Sequence, residues 1–238
     1  MSHITCHMLT TLDGQISGDF ITNPRLSYFL AVYNQIHDEA AADAWICGRQ
    51  TFEQDFTGGR QVDLTPYSNQ SVPAGDFIAT STAKEYAIAI DPMGKLGWDA
   101  PVIGNPAVPG EGEAIIEVVC DQVAPAYLAF LRDLGISYVF AGKTPDLDLP
   151  YLIQRLEDTF QLTDFMLEGG GIVNASFLEA GLIDALSLVT VPMVAADKTA
   201  PKLFNNQTPN PSVPKHFQLK KATPLKDSGL WLQYETIY

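Results

Sequence analysis

Cysteine is scarce in this chain of 238 residues: three occur, Cys6, Cys47 and Cys120, and no two are spaced as CxxC or CxxH. A disulfide framework and a cysteine-based zinc site are excluded as organising features, and a cytoplasmic, reducing setting is expected. Positive charge is also in short supply, with 14 Lys and Arg against 28 Asp and Glu and a net charge of -14. A nucleic-acid backbone needs a basic stripe for counterion release, and an anionic membrane surface needs the same, so neither partner is expected. No apolar run approaches the roughly 20 residues of a membrane span. The opening Met1-Ser2-His3-Ile4-Thr5 lacks a basic segment leading into an apolar one, so no secretory leader is read. Internal repeats and low-complexity tracts are lacking too.

What the chain does have is an ordinary globular composition, 46% hydrophobic and 18% charged, enough to bury one sizeable core. One domain over residues 1–238 is the expectation. Apolar patterning predicts a strand at 4–9, turn chemistry at Leu12-Asp13-Gly14, a helix at 26–41 and a buried strand at 43–48. The stretch 56–74, with Gly58-Gly59 and two prolines, reads as an irregular excursion that could serve as a lid. Strands are predicted at 86–90 and 114–119 around a loop at 94–112. A helix at 126–134 ends at Gly135 and is followed by a strand at 136–140 and a helix at 149–160. A short strand at 165–167 runs into Glu168-Gly169-Gly170-Gly171 and a helix at 172–180. One more strand spans 186–194, and the tail 217–238 reads as two strands joined near Asp227-Ser228-Gly229. Strands alternating with helices imply an α/β fold, a mixed and mostly parallel sheet with helices on both faces and an antiparallel C-terminal edge.

Two glycine turns carry the chemistry. Gly169, Gly170 and Gly171 stand between a strand and a helix, where backbone N–H groups can approach a phosphate lying on the helix dipole. Glycines there also permit a tight turn and close packing with no ligand at all. The pattern is not GxGxxG, so a Rossmann site is not read. The second turn, Gly48-Arg49-Gln50-Thr51, again follows an apolar strand; its guanidinium and hydroxyl suit an anion, although Thr51 can be a helix N-cap and Arg49 a surface charge.

Four segments in order, Thr11-Leu12-Asp13-Gly14, Asp43 to Thr51, Leu167 to Gly171 and Ala180-Gly181-Leu182-Ile183-Asp184, resemble the motifs of the reductase domain of riboflavin-biosynthesis RibD proteins. The Gly-Arg-x-Thr turn also resembles that of dihydrofolate reductase, whose three-layer fold that domain shares. The resemblance implies an NADPH cofactor, hydride transfer to a small heterocyclic, pyrimidine-like substrate, and a homodimer. By position it implies cofactor contacts from Gly48, Arg49 and Thr51, and a diphosphate held by Gly169, Gly170, Gly171, Ile172 and Val173. Gly142 and Lys143, after a strand end, are further candidates, as is Lys95; any one of these lysines is equally a solvated loop residue.

For catalysis the resemblance points to Glu168 facing the substrate, with His7 where the riboflavin enzymes carry a Lys, and Asp13 as a further site acid. Each has an ordinary counterpart: a solvated turn acid, a hydrogen-bonded core histidine and a turn Asp-Gly. Glu39 stands where the family carries an Arg that grips the substrate phosphate, and a carboxylate repels a phosphate. Arg60 is a possible substitute. His37-Asp38-Glu39 spells HxE, but no Pro-Cys-x-x-Cys follows, so zinc-dependent deamination lacks its ligands and no metal is expected. A non-catalytic nucleotide-binding sensor is the competing expectation; a phosphate-transferring enzyme is disfavoured because no P-loop is present.

Overall fold

The computed structural model describes residues 2–104, 112–206 and 214–237. In chain order it contains β1 (His3–Thr10), α1 (Ser27–Ala40), β2 (Ala44–Gly48), α2 (Arg49–Asp55), β3 (Glu85–Ile90), β4 (Val102–Ile103) and β5 (Glu113–Val119). These are followed by α3 (Pro125–Leu134), β6 (Ser137–Phe140), α4 (Leu149–Phe160), β7 (Asp164–Leu167), α5 (Gly171–Glu179), β8 (Ala185–Thr190), β9 (His216–Pro224) and β10 (Leu230–Ile237). Two compact units divide them, one built from residues 3–42 with 164–238 and one from 43–163. No described helix is long and apolar enough to cross a membrane.

In the first unit the strand order is β7-β1-β8-β10-β9. The strand β1 runs parallel to both β7 and β8, and β10 runs antiparallel to β8 and β9. The expected antiparallel C-terminal edge is therefore present. Because side chains alternate across a strand, the run from Cys6 to Thr10 can be buried throughout only if both faces are covered. On one face, Leu9, Val189 and Val191 pack with Phe29 and Ile36 of α1 and with Phe20 and Leu26 ahead of it. The helix starts after Pro24, with the Asn23 side chain accepting from the Arg25 N–H, and stops where Ala41 turns left-handed at φ 48°.

The second unit orders its strands β4-β5-β3-β2, with β6 also on β5. The pairs β2–β3, β3–β5 and β5–β6 are parallel, and β4–β5 is antiparallel. Ala87-Ile88-Ala89 and residues 115–119 are buried on both faces, as parallel strands between covering layers must be. Helix α4 is capped by the Asp148 carboxylate accepting from Tyr151 N–H at 3.0 Å, and α3 ends in a left-handed Gly135.

Two sequence expectations change. The strand predicted over 186–194 ends at Thr190, because Pro192 has no N–H to continue a ladder. The predicted loop 94–112 contains the short β4, while 105–111 lie outside the described residues, as does Tyr238 of the tail. The excursion 56–74 is irregular as expected, with a single 3-10 turn at Thr65–Tyr67. It is tied down within its own unit: Tyr67 donates to Asp133 at 2.8 Å, and Arg60 pairs with Asp99 at 2.7 Å.

A buried carboxyl cluster sits in the second unit and has no counterpart in the sequence reading. Glu117 on β5 is fully buried; it accepts from Trp98 Nε1 at 2.7 Å and Tyr127 Oη at 2.8 Å, and it bonds the buried Asp91 side chain. Asp91 in turn accepts from the backbone N–H groups of Lys95 and Leu96. Burial, then the neighbouring Asp91 charge, pushes the Glu117 pKa well above the usual carboxylate range, so Glu117 is held neutral and donates its proton inside the cluster. A carboxyl whose folded pKa is raised favours the fold fully only below its unfolded pKa, and that favour is lost as pH rises toward the folded value. Glu117→Gln keeps a donor and an acceptor without an ionisation. Thermal unfolding from pH 4.5 to 9 will therefore show the variant gaining on wild type as pH rises; a constant difference would show that Glu117 does not titrate in this way.

Candidate functional site

The turn after β7 is built by three glycines with three different reasons. Gly169 has φ +107°, a conformation L side chains rarely adopt, and a Cβ there would also crowd Met8. Gly171 begins α5 against the Lys202 carbonyl, which a Cβ would meet at 2.1 Å. Gly170 is different: a Cβ on it meets nothing within 4 Å. It is the N-cap residue of α5, and no side chain caps the helix there. The first N–H groups of α5 are thus available to an external acceptor in an open position. Ile172 is 41% exposed and Val173 half-buried in the same first turn. The Gly169–Gly170 peptide is cis.

Glu168 stands at the end of β7, immediately before this turn. Its Oε1 accepts from Nδ1 of His37 on α1 at 2.8 Å, and the side chains are 10% and 23% exposed respectively. His37 was noted in the sequence only as part of a spurious HxE; nothing local marks it as the partner of a residue 131 positions away. Glu39, which the sequence reading placed in the substrate-phosphate position, is exposed on α1 and accepts from Gln35 Nε2 at 2.7 Å. The α1 side chain in contact with Glu168 is a histidine, His37, while Glu39 bonds along its own helix.

His7 is fully buried. Its Nδ1 lies 3.0 Å from Ser187 Oγ and its Nε2 lies 3.1 Å from the Tyr33 carbonyl, while the ring stacks on Tyr33 at 4.2 Å. Nδ1 also lies 3.1 Å from the Ser187 carbonyl, so each ring nitrogen faces a carbonyl, which can only accept, and the Ser187 hydroxyl accepts from Trp231 Nε1 at 2.9 Å. Burial lowers the His7 pKa against the raising pull of Glu168 and of the Tyr33 and Ser187 carbonyls, which favours the neutral ring. The Glu168 field thus reaches His7, His37 and the thiol of Cys6, whose pKa is pushed up chiefly by burial.

Asp13 belongs to a loop junction. One carboxylate oxygen accepts from Thr11 Oγ1 at 2.6 Å and Ala195 N–H at 3.2 Å; the other accepts from Ala196 N–H at 2.9 Å and Gln15 Nε2 at 3.2 Å. The Thr11 hydroxyl first, then the Ala196 N–H, hold its pKa down to about 2. His7 thus serves the core, Asp13 ties the 11–15 turn to residues 195–196, and Glu168 holds His37.

In the second unit Gly48 is the N-cap of α2, so Thr51 lies inside the first turn and not at the cap position considered from the sequence. Arg49 is paired with Glu53 one turn on. Gly142 accepts from Asp121 N–H at 2.9 Å in the turn after β6; Lys143 is exposed, and so is Lys95. Arg60, considered as a phosphate contact, is held by Asp99 and by the Gly97 carbonyl at 3.3 Å.

An α/β fold with a mixed, mostly parallel strand arrangement, an uncapped glycine turn at a strand end and an acid beside it define a class of protein. The chain belongs to the RibD C-terminal domain family, whose model matches residues 2–228. Its structure is similar to that of a pyrimidine reductase-like protein of Corynebacterium diphtheriae, at TM-score 0.69 and 17% identity over 100% of this chain and 92% of that one. It is also similar to RibD of Acinetobacter baumannii, at TM-score 0.66 and 20% identity over 100% of this chain. A third similar structure is a Thermotoga maritima diaminohydroxyphosphoribosylaminopyrimidine deaminase/5-amino-6-(5-phosphoribosylamino)uracil reductase, at TM-score 0.61 and 15% identity over 99% of this chain. The chain spans 58% and 57% of the latter two. These likenesses show the fold, which is the dihydrofolate-reductase-like one expected from the motifs. No curated protein sequence matches the chain.

The Asp13 junction has a measurable signature. A carboxyl whose folded pKa is depressed contributes stability above its unfolded value of about 3.9, lost as pH falls toward the folded value. The Tm gap between wild type and Asp13→Asn should be widest above pH 5 and narrow toward pH 2. A gap that keeps its size across that range would deny the carboxylate this role.

Proposed function

We propose that this chain is an NADPH-dependent reductase that transfers hydride to a small, pyrimidine-like heterocycle. The observation that carries the reading is the open, uncapped start of α5 at Gly170, directly after a buried strand and beside Glu168. A diphosphate suits such a start, because backbone N–H groups and the helix dipole favour an anion and Gly170 leaves room for it. Gly169, Gly170, Gly171, Ile172 and Val173 would hold that part of the cofactor. Taken by itself, the second unit offers Gly48, Arg49, Thr51, Gly142 and Lys143 as candidate cofactor contacts, Arg49 by exchanging Glu53 for a phosphate. When bound, the cofactor supplies the hydride; this chain supplies position, charge and proton.

Glu168 is the residue we assign to the substrate. A carboxyl at a strand end, 10% exposed, can accept from a ring N–H or give a proton to a reduced heteroatom. His7 acts from behind, as a neutral core residue that fixes β1 to Tyr33 and Ser187. The substrate class follows the family and the activity named for the Thermotoga maritima protein. A non-catalytic nucleotide-binding protein is favoured by one observation, that His7 and Asp13 are fully engaged in holding the fold.

Nicotinamide fluorescence during titration with NADPH tests the proposal: sub-millimolar binding is expected, and its absence contradicts the reading. Gly170→Ala fits the space and should bind NADPH within about threefold of wild type. Gly170→Asp places a negative charge at the helix start and should weaken binding by at least about tenfold, one pKa unit's worth of interaction or more. Equal affinities for the two variants would remove the diphosphate from this turn. Oxidation of NADPH on addition of 5-amino-6-(5-phosphoribosylamino)uracil separates the reductase from the binding protein.

A further inference from the structure

Reduction of a C=O or C=N bond needs a proton as well as a hydride, and the groups around Glu168 show where that proton is kept. On β1, His7 is neutral and both its nitrogens are bonded within the core. Cys6, also facing the Glu168 charge, is held as a thiol by burial. On α1, Tyr33 is stacked on His7 and gives its carbonyl to that ring. His37 is the α1 group in direct contact with the carboxylate, at 2.8 Å, and its side chain is 23% exposed. The pair therefore has one end at the glycine turn and one end with access to water.

We infer that His37 and Glu168 hold one proton in common and that His37 feeds it through Glu168 to the substrate, a role that rests on the reductase reading. As the substrate carbon receives hydride from a reduced nicotinamide, the electron pair of the C=X bond moves onto the heteroatom X. X takes the proton from the Glu168 carboxyl, forming X–H as the O–H bond breaks. The carboxylate left behind is reprotonated from Nδ1 of His37, and His37 is recharged from solvent. The atoms balance as C=X plus hydride plus proton giving HC–XH, with the nicotinamide oxidised. Glu168 is then the catalytic group, and His37 a positioning residue that acts through it. The sequence gives His37 no such role, since the HxE it completes has no zinc partners.

The test follows His37 directly. Histidine ring signals are titrated by NMR in wild type and in Glu168→Gln, and NADPH affinity and the pH dependence of single-turnover NADPH oxidation with 5-amino-6-(5-phosphoribosylamino)uracil are measured in wild type and His37→Asn. Loss of the carboxylate should lower the His37 midpoint by about one pH unit, as removal of a close opposite charge does. His37→Asn keeps a donor toward Glu168 but cannot carry a proton. It should bind NADPH within twofold of wild type, fall about a hundredfold in rate, and lose the wild-type decline of rate on raising pH through the His37 midpoint. An unchanged His37 midpoint in Glu168→Gln overturns the shared proton, as does a His37→Asn protein with the wild-type rate and pH profile. Wild type that fails to bind NADPH rejects the reductase reading instead, and the His37 midpoints decide the proton sharing in either case.

Discussion

The strand β1 has almost no solvent-facing side, and much of the first unit follows from that constraint. Flanked in parallel by β7 and β8 and covered above and below, it must have its polar groups answered from within. The backbone N–H of Ile4 goes to the Asp184 carboxylate, and the His7 ring goes to Ser187 and Tyr33. These bonds fix β1 between its neighbours and against α1. Once α1 is fixed, His37 is delivered to the end of β7, and Glu168 has a partner at the point where the glycine turn begins. The geometry proposed for the site is thus a consequence of how one buried strand is satisfied.

The second unit solves a similar problem differently. Its parallel strands β3 and β5 are buried on both faces, and two acids, Asp91 and Glu117, lie in that interior. Backbone N–H groups answer Asp91, and Trp98 and Tyr127 answer Glu117, with a retained proton joining the two carboxyls. In the first unit a histidine is kept neutral by burial; in the second a carboxyl is. Both are cases in which desolvation decides the protonation state and the neighbours then select the hydrogen-bond pattern.

Much of the strand and helix pattern was legible because buried parallel strands write themselves as apolar runs: 86–90 and 114–119 lie within one residue of β3 and β5. The glycine turn was legible because three consecutive glycines between a strand and a helix are conspicuous. The short β4 was not, since two residues offer no period to read. Nor was the excursion's attachment, because the Tyr67–Asp133 contact joins residues 66 positions apart. The site was read least well where it is made by long-range contacts. His37 and Glu168 meet only after α1 and β7 are placed. Glu39, two residues from His37 along a helix, falls on the exposed face, a difference that sequence alignment alone does not resolve. Thr51 illustrates a smaller error of the same kind: one turn of helix separates a cap from an interior position.

The central claim is that the start of α5 is an anion-binding turn for a reduced dinucleotide. Backbone amide signals of the isotope-labelled protein, recorded with and without saturating NADPH, test it most directly. The account predicts that the Gly170, Gly171 and Ile172 amides move among the largest shifts, with the Gly135 amide at the end of α3 unmoved. Saturation that leaves those three amides in place would contradict it.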